Sequence, residues 1–330
     1  MSEDRSRPVL VPLAEAPLAL APRDATPRAE APLAPAPLDV VPETMARRPG
    51  RFARQLSHPG LMGGMIVLLL MVIVALAAPW LAPHSPLVGD LMVAQASPSL
   101  NYPLGTDQFG RCVLSRLIWG SRVSLQVALW VVVLSLSIGT LIGAIAGYAG
   151  GWIERLFTTL NDILLAFPGF LLALAIVAAR GSSLDSIVLA VSIAYVPRVA
   201  VVMRAVVLTI RPRPFIEASH AIGMSSLRIL FRHVIPNAMP PVIVVATVSA
   251  ATAILAEAGL SFLGLGVQPP TPTWGNIIAD GQAMLVDHPL VSVSAGLCIA
   301  VTVIALNLMG DGLRDTLDPQ MRRETGARML

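Results

Sequence analysis

The feature that most constrains this chain is a series of six long apolar segments, with few charges inside them. They cover approximately residues 61–81, 123–149, 163–179, 186–209, 238–264 and 289–309. A helix that crosses a membrane needs roughly 20 predominantly apolar residues. The third segment is short and the fourth contains Arg198 and Arg204, so these two are the weakest candidates. The pattern predicts an all-α membrane protein with six transmembrane helices.

The composition supports a membrane location and excludes several kinds of chemistry. Of the 330 residues, 13% are charged and 55% are hydrophobic, and the mean hydropathy is +0.73. A soluble domain carries about 25% charged residues. All 23 basic residues are Arg, so the chain cannot build a phosphate-binding loop or a Schiff base, both of which need Lys. The net charge of +3 is too small to indicate a nucleic-acid partner.

Arginine is concentrated in three segments that six crossings would place on one side of the membrane. These residues are Arg47, Arg48, Arg51 and Arg54; Arg211, Arg213, Arg228 and Arg232; and Arg314, Arg322, Arg323 and Arg328. Because short cytoplasmic flanks are enriched in basic residues, the pattern predicts that both termini are cytoplasmic. The segment 83–122 is a partial exception, since it carries Arg111, Arg116 and Arg122 on the predicted outer side.

The chain divides into four regions by composition. Residues 1–46 are rich in Pro and Ala, and we predict a disordered cytoplasmic tail because such a segment buries little apolar surface. Residues 47–122 hold the first transmembrane helix and an outer segment. Residues 123–318 form the core domain with the other five helices, and residues 319–330 form a short cytoplasmic tail.

A polar segment, residues 211–237, separates the fourth and fifth spans. Pro214 suits the first turn of a short helix over 215–222, and Gly223 suits the left-handed residue that ends a helix. A second short helix then runs until Pro236, which predicts a boundary before the fifth span. The chain is therefore expected to place two helices in a loop on the cytoplasmic side.

The loop has two other interpretations, a DNA reader and a simple connector. A helix–turn–helix of this kind can read DNA, but the flanking helices are anchored in a membrane and the basic residues are few for a phosphate footprint. The loop could also be a simple connector between two spans. Against the connector stands its length, because it contains two helices where a short turn would suffice.

The loop resembles the EAA loop of bacterial ABC-importer permeases, in which Glu-Ala-Ala, a spaced Gly and Leu-Pro recur. The corresponding residues here begin at Glu217-Ala218-Ser219 and end at Ile235-Pro236, with Gly223 between them. Three further stretches are similar to the C-type permease of the dipeptide, oligopeptide and nickel importers. They are LGTDQFGRCVLSRLIWGSRVSL at 104–125, GLSFLGLGVQPPTPTWGNIIADG at 259–281 and NLMGDGLRDTLDP at 307–319. The resemblance covers approximately residues 48–320.

The sequence departs from that family's pattern at several positions. Ser219 stands where a second Ala is usual, and Ile235 replaces Leu before the proline. Cys112 stands where the family often has Asp after Gly-Arg, so a role for a charge is not expected at that position. The run Arg211-Pro-Arg-Pro214 replaces a more ordinary charged helical segment. None of these changes removes the Glu, the Gly or the final Pro of the loop.

The resemblance implies a permease subunit of an ATP-driven importer in the bacterial inner membrane, without catalytic residues of its own. It implies as partners a second permease subunit, two ATPase subunits that bind ATP and Mg, and an extracytoplasmic substrate-binding protein. The solute would be a dipeptide, an oligopeptide, nickel or a related small solute. The residues expected to couple to the ATPase are Glu217, Ala218, Ser219, His220, Ala221, Gly223, Ile235 and Pro236.

Two groups of residues inside the spans are candidates for packing and for the solute pathway. Gly139, Gly143 and Gly147 repeat every four residues and allow another helix, in this chain or in a neighbouring subunit, to approach closely. In the fifth span, one helical face is formed by residues that follow one another at intervals of 3, 4 and 4 positions. They are Ala246, Ser249, Ala253 and Glu257. An acid in a membrane is costly and usually faces a cavity or a partner. Glu257 is therefore a pathway candidate, with the outer membrane boundary as the alternative.

Other functions are less consistent with the sequence. A transporter driven by an ion gradient tends to show repeats, interrupted helices and charges at mid-membrane. The sequence shows no clear repeat, and such a transporter would leave the large polar loop unexplained. An intramembrane hydrolase needs a nucleophile with a base, or a metal cluster. His220 and His233 lie 13 residues apart without further ligand types nearby, so we expect no metal site. The outer loop 265–288 could border the pathway or cap the membrane surface, with Trp274 as an anchor among the lipid headgroups.

Overall fold

The computed structural model describes residues 59–317, and within this range the chain consists of helices and connecting segments. The helices are α1 Pro59–Leu76, α2 Ala78–Leu81, α3 Val113–Ala149, α4 Gly151–Ala166, α5 Gly169–Arg180, α6 Leu184–Ile210, α7 Pro214–Ala221, α8 Ser226–Ile229, α9 Ile235–Phe262, α10 Trp274–Gln282 and α11 Leu290–Leu317. A π-helical turn, Leu230–Val234, joins α8 to α9. The predicted tails, 1–46 and 319–330, lie outside the described residues.

Five helical segments are long and apolar enough to cross a membrane. They are α1, α3, α6, α11 and the continuous helix Ser226–Phe262, which contains α8, the π turn and α9. The pair α4 and α5 meets the same test only as a unit, and the pair is bent by 85°. The all-α membrane fold is thus confirmed, with six spans when the bent pair counts as one. The cytoplasmic placement of the two termini stays a prediction.

The prediction of a single helix over 163–179 as the third span is wrong, because this segment is divided between α4 and α5. The chain leaves the helical conformation at Phe167, with φ −87° and ψ 134°, and at Pro168, with φ −56° and ψ 121°. Proline lacks an N–H to donate, and its ring disfavours the helical conformation of the residue before it. The residues around Phe167 and Pro168 are apolar, so a hydropathy average over this segment does not reveal the break.

The second span begins about three turns earlier than predicted. Helix α3 starts at Val113 rather than at residue 123, so the boundary placed at residue 122 falls inside the helix. Its first turns contain Ser115, Arg116 and Ser121, whose side chains are all buried. These polar residues lower the hydropathy of the segment, but they contact protein rather than lipid.

The fifth span does not begin at Pro236, where a boundary was predicted. The helix runs from Ser226 to Phe262 through the π turn, which ends two residues before this proline. A helix interior tolerates proline poorly because the ring collides with the carbonyl of residue i−4. For Pro236 that carbonyl belongs to Arg232, which lies inside the π turn. The wider turn therefore accommodates the proline, and the helix continues.

Helices α3 and α6 form the most extensive contact in the bundle. The three glycines of α3 lie against α6: a Cβ at Gly139 would be 2.6 Å from Val199 Cβ, and a Cβ at Gly147 would be 3.0 Å from the Arg204 carbonyl oxygen. At Gly143 an added Cβ would collide with the Ala200 carbonyl oxygen. The glycine stripe therefore packs two helices of this same chain, which the sequence had left open.

Replacing Gly143 with Ala should destabilise the protein. The added methyl group has no room against the α6 backbone, and overpacking of this kind costs about 1–3 kcal/mol. We expect the detergent-solubilised protein to unfold at a lower temperature, measured by the loss of its monodisperse peak in size-exclusion chromatography after heating.

The matched control is Gly296→Ala in α11, where an added Cβ meets nothing within 4 Å. Ala is favoured over Gly in a helix by about 1 kcal/mol, so the control should keep or raise the unfolding temperature. Equal behaviour of the two variants would contradict the role assigned to Gly143.

Candidate coupling loop and outer clasp

The first helix of the polar loop, α7, rests on the bundle with one narrow face and exposes the rest. Pro214 occupies its first turn, as predicted. Ile216 and Ser219 are its only buried residues, and they lie three positions apart on one face. Glu217, Ala218, His220 and Ala221 are exposed. The sequence-predicted coupling residues thus lie mainly on an accessible surface of the loop.

An apolar cluster anchors the loop to the ends of three long helices. Ile216 packs in the same core cluster as Ile229, Leu230 and Val234 of the second half of the loop. The cluster continues into the bundle through Ala144 of α3, Met203, Val207 and Ile210 of α6, and Ala238 and Val242 of α9. A displacement of α7 must therefore move these helix ends with it, because a packed core transmits strain.

Gly223 ends α7 in the way the sequence predicts. Its φ is 79°, in the left-handed region that side chains disfavour. The Gly223 N–H donates to the His220 carbonyl at 2.9 Å, and the Met224 N–H donates to the Ser219 carbonyl at 3.1 Å. These two bonds form the Schellman arrangement, which turns the chain sharply into α8.

Ser219 fits its position although the resembling family has Ala there. Its side chain is buried, and its hydroxyl donates to the Phe215 carbonyl one turn earlier at 2.7 Å. The helix itself thus provides the partner that a buried hydroxyl needs. The substitution keeps the close packing of a small side chain without leaving an unpaired polar group.

A depression of about 630 Å³ separates α7 from the end of α3. Tyr148 of α3 reaches across it, and its hydroxyl lies 3.1 Å from Nε2 of His220. The two rings are nearly parallel, at 9°, with their centres 6.4 Å apart. Arg211 and Glu217 also line the depression. The sequence marks His220 but gives no sign of Tyr148, since their contact joins residues 72 positions apart.

The loop also exposes large apolar side chains beside the predicted coupling residues. Ile222 is 77% exposed and Leu227 is 69% exposed, and Phe215 and Phe231 are also accessible. Contiguous exposed apolar groups rimmed by polar ones are typical of protein-binding surfaces. Ile235 is half-buried and Pro236 is exposed at the start of α9. The loop as a whole has the character of a docking surface.

The four pathway candidates of the fifth span all lie inside the bundle. Ala246, Ser249, Ala253 and Glu257 are buried in the described part of the chain. Both carboxylate oxygens of Glu257 accept hydrogen bonds from hydroxyls, at 3.0 Å from Ser124 of α3 and 2.8 Å from Ser261. The structure brings the four residues together on one face, but that face contacts protein rather than an open channel.

Four charged side chains form a largely buried network on the predicted outer side, which we call the outer clasp. Arg111 Nε donates to Asp107 at 2.7 Å, and Arg116 Nη1 donates to Asp107 and, at 2.8 Å, to Asp280. Arg111 Nη2 also reaches Asp280, at 3.2 Å. Two arginines and two aspartates cancel in charge. The clasp therefore explains how Arg111 and Arg116 occur in a segment where the positive-inside rule disfavours them.

The outer clasp holds α10 against α3. Trp274, the first residue of α10, is buried and its Nε1 donates to the Leu117 carbonyl at 3.1 Å. A capping box between Thr273 and Asn276 gives hydrogen-bond acceptors to backbone N–H groups at the start of the helix. The suggestion that Trp274 anchors among lipid headgroups is therefore wrong. The sequence stretches 104–125 and 259–281 meet here, which neither stretch reveals alone.

No group of three or more His, Cys, Asp or Glu side chains that could hold a metal ion occurs among residues 59–317. His220 has Tyr148 as its neighbour, and His233 is half-buried at the π turn. The absence of a bound metal stays a prediction.

Comparison with known proteins gives matches along most of the chain. Residues 139–323 match the family model described as "Binding-protein-dependent transport system inner membrane component". Residues 51–101 match the "N-terminal TM domain of oligopeptide transport permease C". The two matches lie on either side of the segment that contributes Asp107, Arg111 and Arg116 to the outer clasp.

Individual relatives are similar over nearly their whole length. The di/tripeptide transport system permease protein DppC of Pseudomonas aeruginosa is 44% identical, over 82% of this chain and 92% of its own length. The glutathione transport system permease protein GsiD of Escherichia coli is 40% identical, over 82% and 89%. An inward-facing structure of the MetNI methionine ABC transporter matches with a TM-score of 0.53 and 18% identity, over 62% of this chain and 97% of that chain.

Replacing Asp107 with Asn should weaken the outer clasp strongly. Asp107 is buried and serves both arginines, and removing one partner of a buried ion pair costs about 3–5 kcal/mol. We expect a lower unfolding temperature and faster proteolysis of the segment 82–112, measured on the purified protein by gel electrophoresis.

Asp287→Asn, an exposed carboxylate in the same outer region, is the matched control and should behave as wild type. Asp280→Asn should give a smaller effect than Asp107→Asn, because the Asp280 side chain is 17% exposed. An Asp107→Asn variant as stable as Asp287→Asn would show that the network contributes nothing to the fold.

Proposed function

The chain belongs to the family of binding-protein-dependent transport system inner membrane components, and from this premise we propose that it imports peptides with energy supplied by separate ATPase subunits. In this proposal it forms half of the translocation pathway. The other half comes from a second permease subunit, and two ATPase subunits bind ATP and Mg. An extracytoplasmic binding protein delivers the solute.

The proposed substrate class rests on the relatives. Permeases named for dipeptides in Alkalihalophilus pseudofirmus, for di- and tripeptides in Pseudomonas aeruginosa and for glutathione in Escherichia coli are 40–44% identical to this chain. All three names denote a short peptide or a peptide-like solute. We therefore propose di- and tripeptides, with glutathione as the related candidate.

The single observation that carries the proposed mechanism is the anchored, exposed helix α7. It presents most of its surface outward, while Ile216 and the surrounding cluster fix it to α3, α6 and α9. A chain without Lys has no Walker-type phosphate loop, so ATP energy has to reach it through a contact with another subunit. We propose that the ATPase binds α7 and moves it, and that the cluster carries this motion to the three helices.

The alternative of a transporter driven by an ion gradient is less well supported. It would operate without an ATPase, and the exposed apolar groups Ile222 and Leu227 would then have no partner. Tyr148 and His220, which link α3 to α7, would also lack a function. A dedicated docking surface is expected only where a second protein delivers the energy.

The test is ATP-driven uptake of a labelled dipeptide by proteoliposomes that contain this chain with its partner subunits and binding protein. The decisive variant is Gly223→Pro, because proline cannot adopt a φ of 79° and removes the N–H that bonds to His220. An L-residue in the left-handed conformation costs about 1–2 kcal/mol, and proline, whose φ is fixed near −65°, must distort the turn at least as much. We expect uptake to fall by about tenfold, since 1.4 kcal/mol corresponds to a factor of ten.

The control is Gly181→Pro, which changes a glycine with φ 91° at the end of α5 on the predicted outer side. Both positions have open space around an added Cβ. The control should retain uptake and binding of the ATPase, while Gly223→Pro binds the ATPase poorly or hydrolyses ATP without transport. Uptake without any ATPase, or indifference to Gly223→Pro, would overturn the proposal.

A further inference from the structure

The break between α4 and α5 lies near the middle of the membrane-spanning bundle. Gly169, at the start of α5, faces Ala194 of α6, and a Cβ added at Gly169 would lie 3.7 Å from the Ala194 Cβ. Ala194 is ten residues from the start of α6 at Leu184, or about 15 Å along the helix axis. The hydrocarbon core of a bilayer is about 30 Å thick. The break is thus at mid-membrane depth rather than at a surface.

This break exposes backbone polar groups. We call residues 165–171 the elbow, and every residue in it is exposed in the described chain. The last carbonyls of α4 and the first N–H groups of α5 lack partners within their own helices. The described bonds across the break join the Phe167 N–H to the Leu164 carbonyl and the Leu172 N–H to the Pro168 carbonyl. The other helix-end groups of the elbow have no such bond to another part of residues 59–317, so they need partners from outside the described part of the chain.

Lipid cannot supply those partners. Irregular backbone at membrane depth occurs where it is covered by protein or lines a water-filled cavity, because hydrocarbon offers no hydrogen bonds. The elbow cannot face acyl chains, although its side chains Leu165, Phe167 and Leu171 are apolar and accessible. This constraint comes from the backbone, and it holds regardless of the side chains.

A second observation comes from the outward face of α4. Asp162 is exposed four residues before Ala166, and a carboxylate inside a membrane-spanning segment is costly against lipid. No ion pair of Asp162 is found among residues 59–317. Its exposure and the open backbone of the elbow point to the same polar surroundings.

Helix α4 is also attached weakly to the rest of the bundle. None of its residues is buried, and its described ion pair joins Glu154 to Arg204 of α6. Gly150 and Gly151, with φ of 69° and 61°, precede it, and the elbow follows it. Chain segments with few buried contacts open at low free energy.

We propose that the elbow, residues 165–171, together with Asp162, lines the water-filled pathway through which the solute crosses the membrane. This inference rests on the proposed function, and it places the elbow against the second permease subunit across that pathway. The earlier candidates on α9 are packed inside the bundle, whereas the elbow is open. Backbone N–H and C=O groups bind any peptide alike, which suits a solute class with variable side chains.

The test is the reaction of single cysteines with a charged, water-soluble thiosulfonate in the assembled transporter. Cys112 and Cys298 are first replaced by Ala, and Ala166→Cys and Gly169→Cys are then introduced separately. The control is Leu69→Cys on α1, a residue 58% exposed on an apolar transmembrane helix. We expect the elbow cysteines to react at least about tenfold faster than the control, because the reactive thiolate forms in water and is disfavoured in hydrocarbon.

The reaction is measured without nucleotide, with ATP and with trapped nucleotide, and dipeptide uptake is measured on the same preparations. Fast reaction of either elbow cysteine in any of these states supports the inference. Reaction as slow as that of Leu69→Cys in every state, in preparations that transport, overturns the inference and leaves the proposed function standing. Crosslinking of both cysteines to the second subunit, without any reaction with the water-soluble thiosulfonate, also overturns the inference.

Failure of the proposed function would look different. In that case dipeptide uptake would not depend on ATP or on the partner subunits even with the unsubstituted chain. The uptake assay on wild-type protein therefore separates the two conclusions.

Discussion

The close approach of α3 and α6 is the contact on which the other elements depend. Water drives no association between helices inside a bilayer, so tight packing of small residues must supply the attraction. Gly139, Gly143 and Gly147 bring α3 against the backbone of α6. The apolar cluster that anchors the polar loop, residues 211–237, is built at the ends of these two helices on the predicted cytoplasmic side. A second cluster joins the two helices to α5 and α9 farther along.

Several polar side chains of this bundle fasten one helix to another. On the predicted outer side the outer clasp and the hydroxyls around Glu257 tie α10 and α9 to the first half of α3. On the opposite side Tyr148 reaches from the last turn of α3 to His220. Helix α3 therefore contacts both the outer clasp and the polar loop, and its 37 residues form a direct connection between them. In contrast, α4 has a single described ion pair and no buried residue.

Much of this architecture can be predicted from the sequence, because its signals are local. The apolar segments indicate the spans, Pro214 and Gly223 mark the limits of α7, and the glycine spacing marks a packing face. The errors occur where tertiary contact decides the outcome. Hydropathy misses the first turns of α3 because Arg116 is neutralised by Asp280, 164 residues away. It also passes over the break at Pro168, because apolarity says nothing about backbone hydrogen bonds. The contact of Tyr148 with His220 and the pairing of Asp107 with two arginines become visible only in the three-dimensional structure.

The neutral pairing of charges has a consequence for the membrane potential. Moving one elementary charge through 100 mV takes about 2.3 kcal/mol, and that work is set by net charge alone. The outer clasp contains two arginines and two aspartates, and Glu154 balances Arg204. If these groups move as units, the electric field does no net work on them. The outer clasp and the Glu154–Arg204 pair can then shift within a polarised membrane while the voltage neither drives nor opposes their movement.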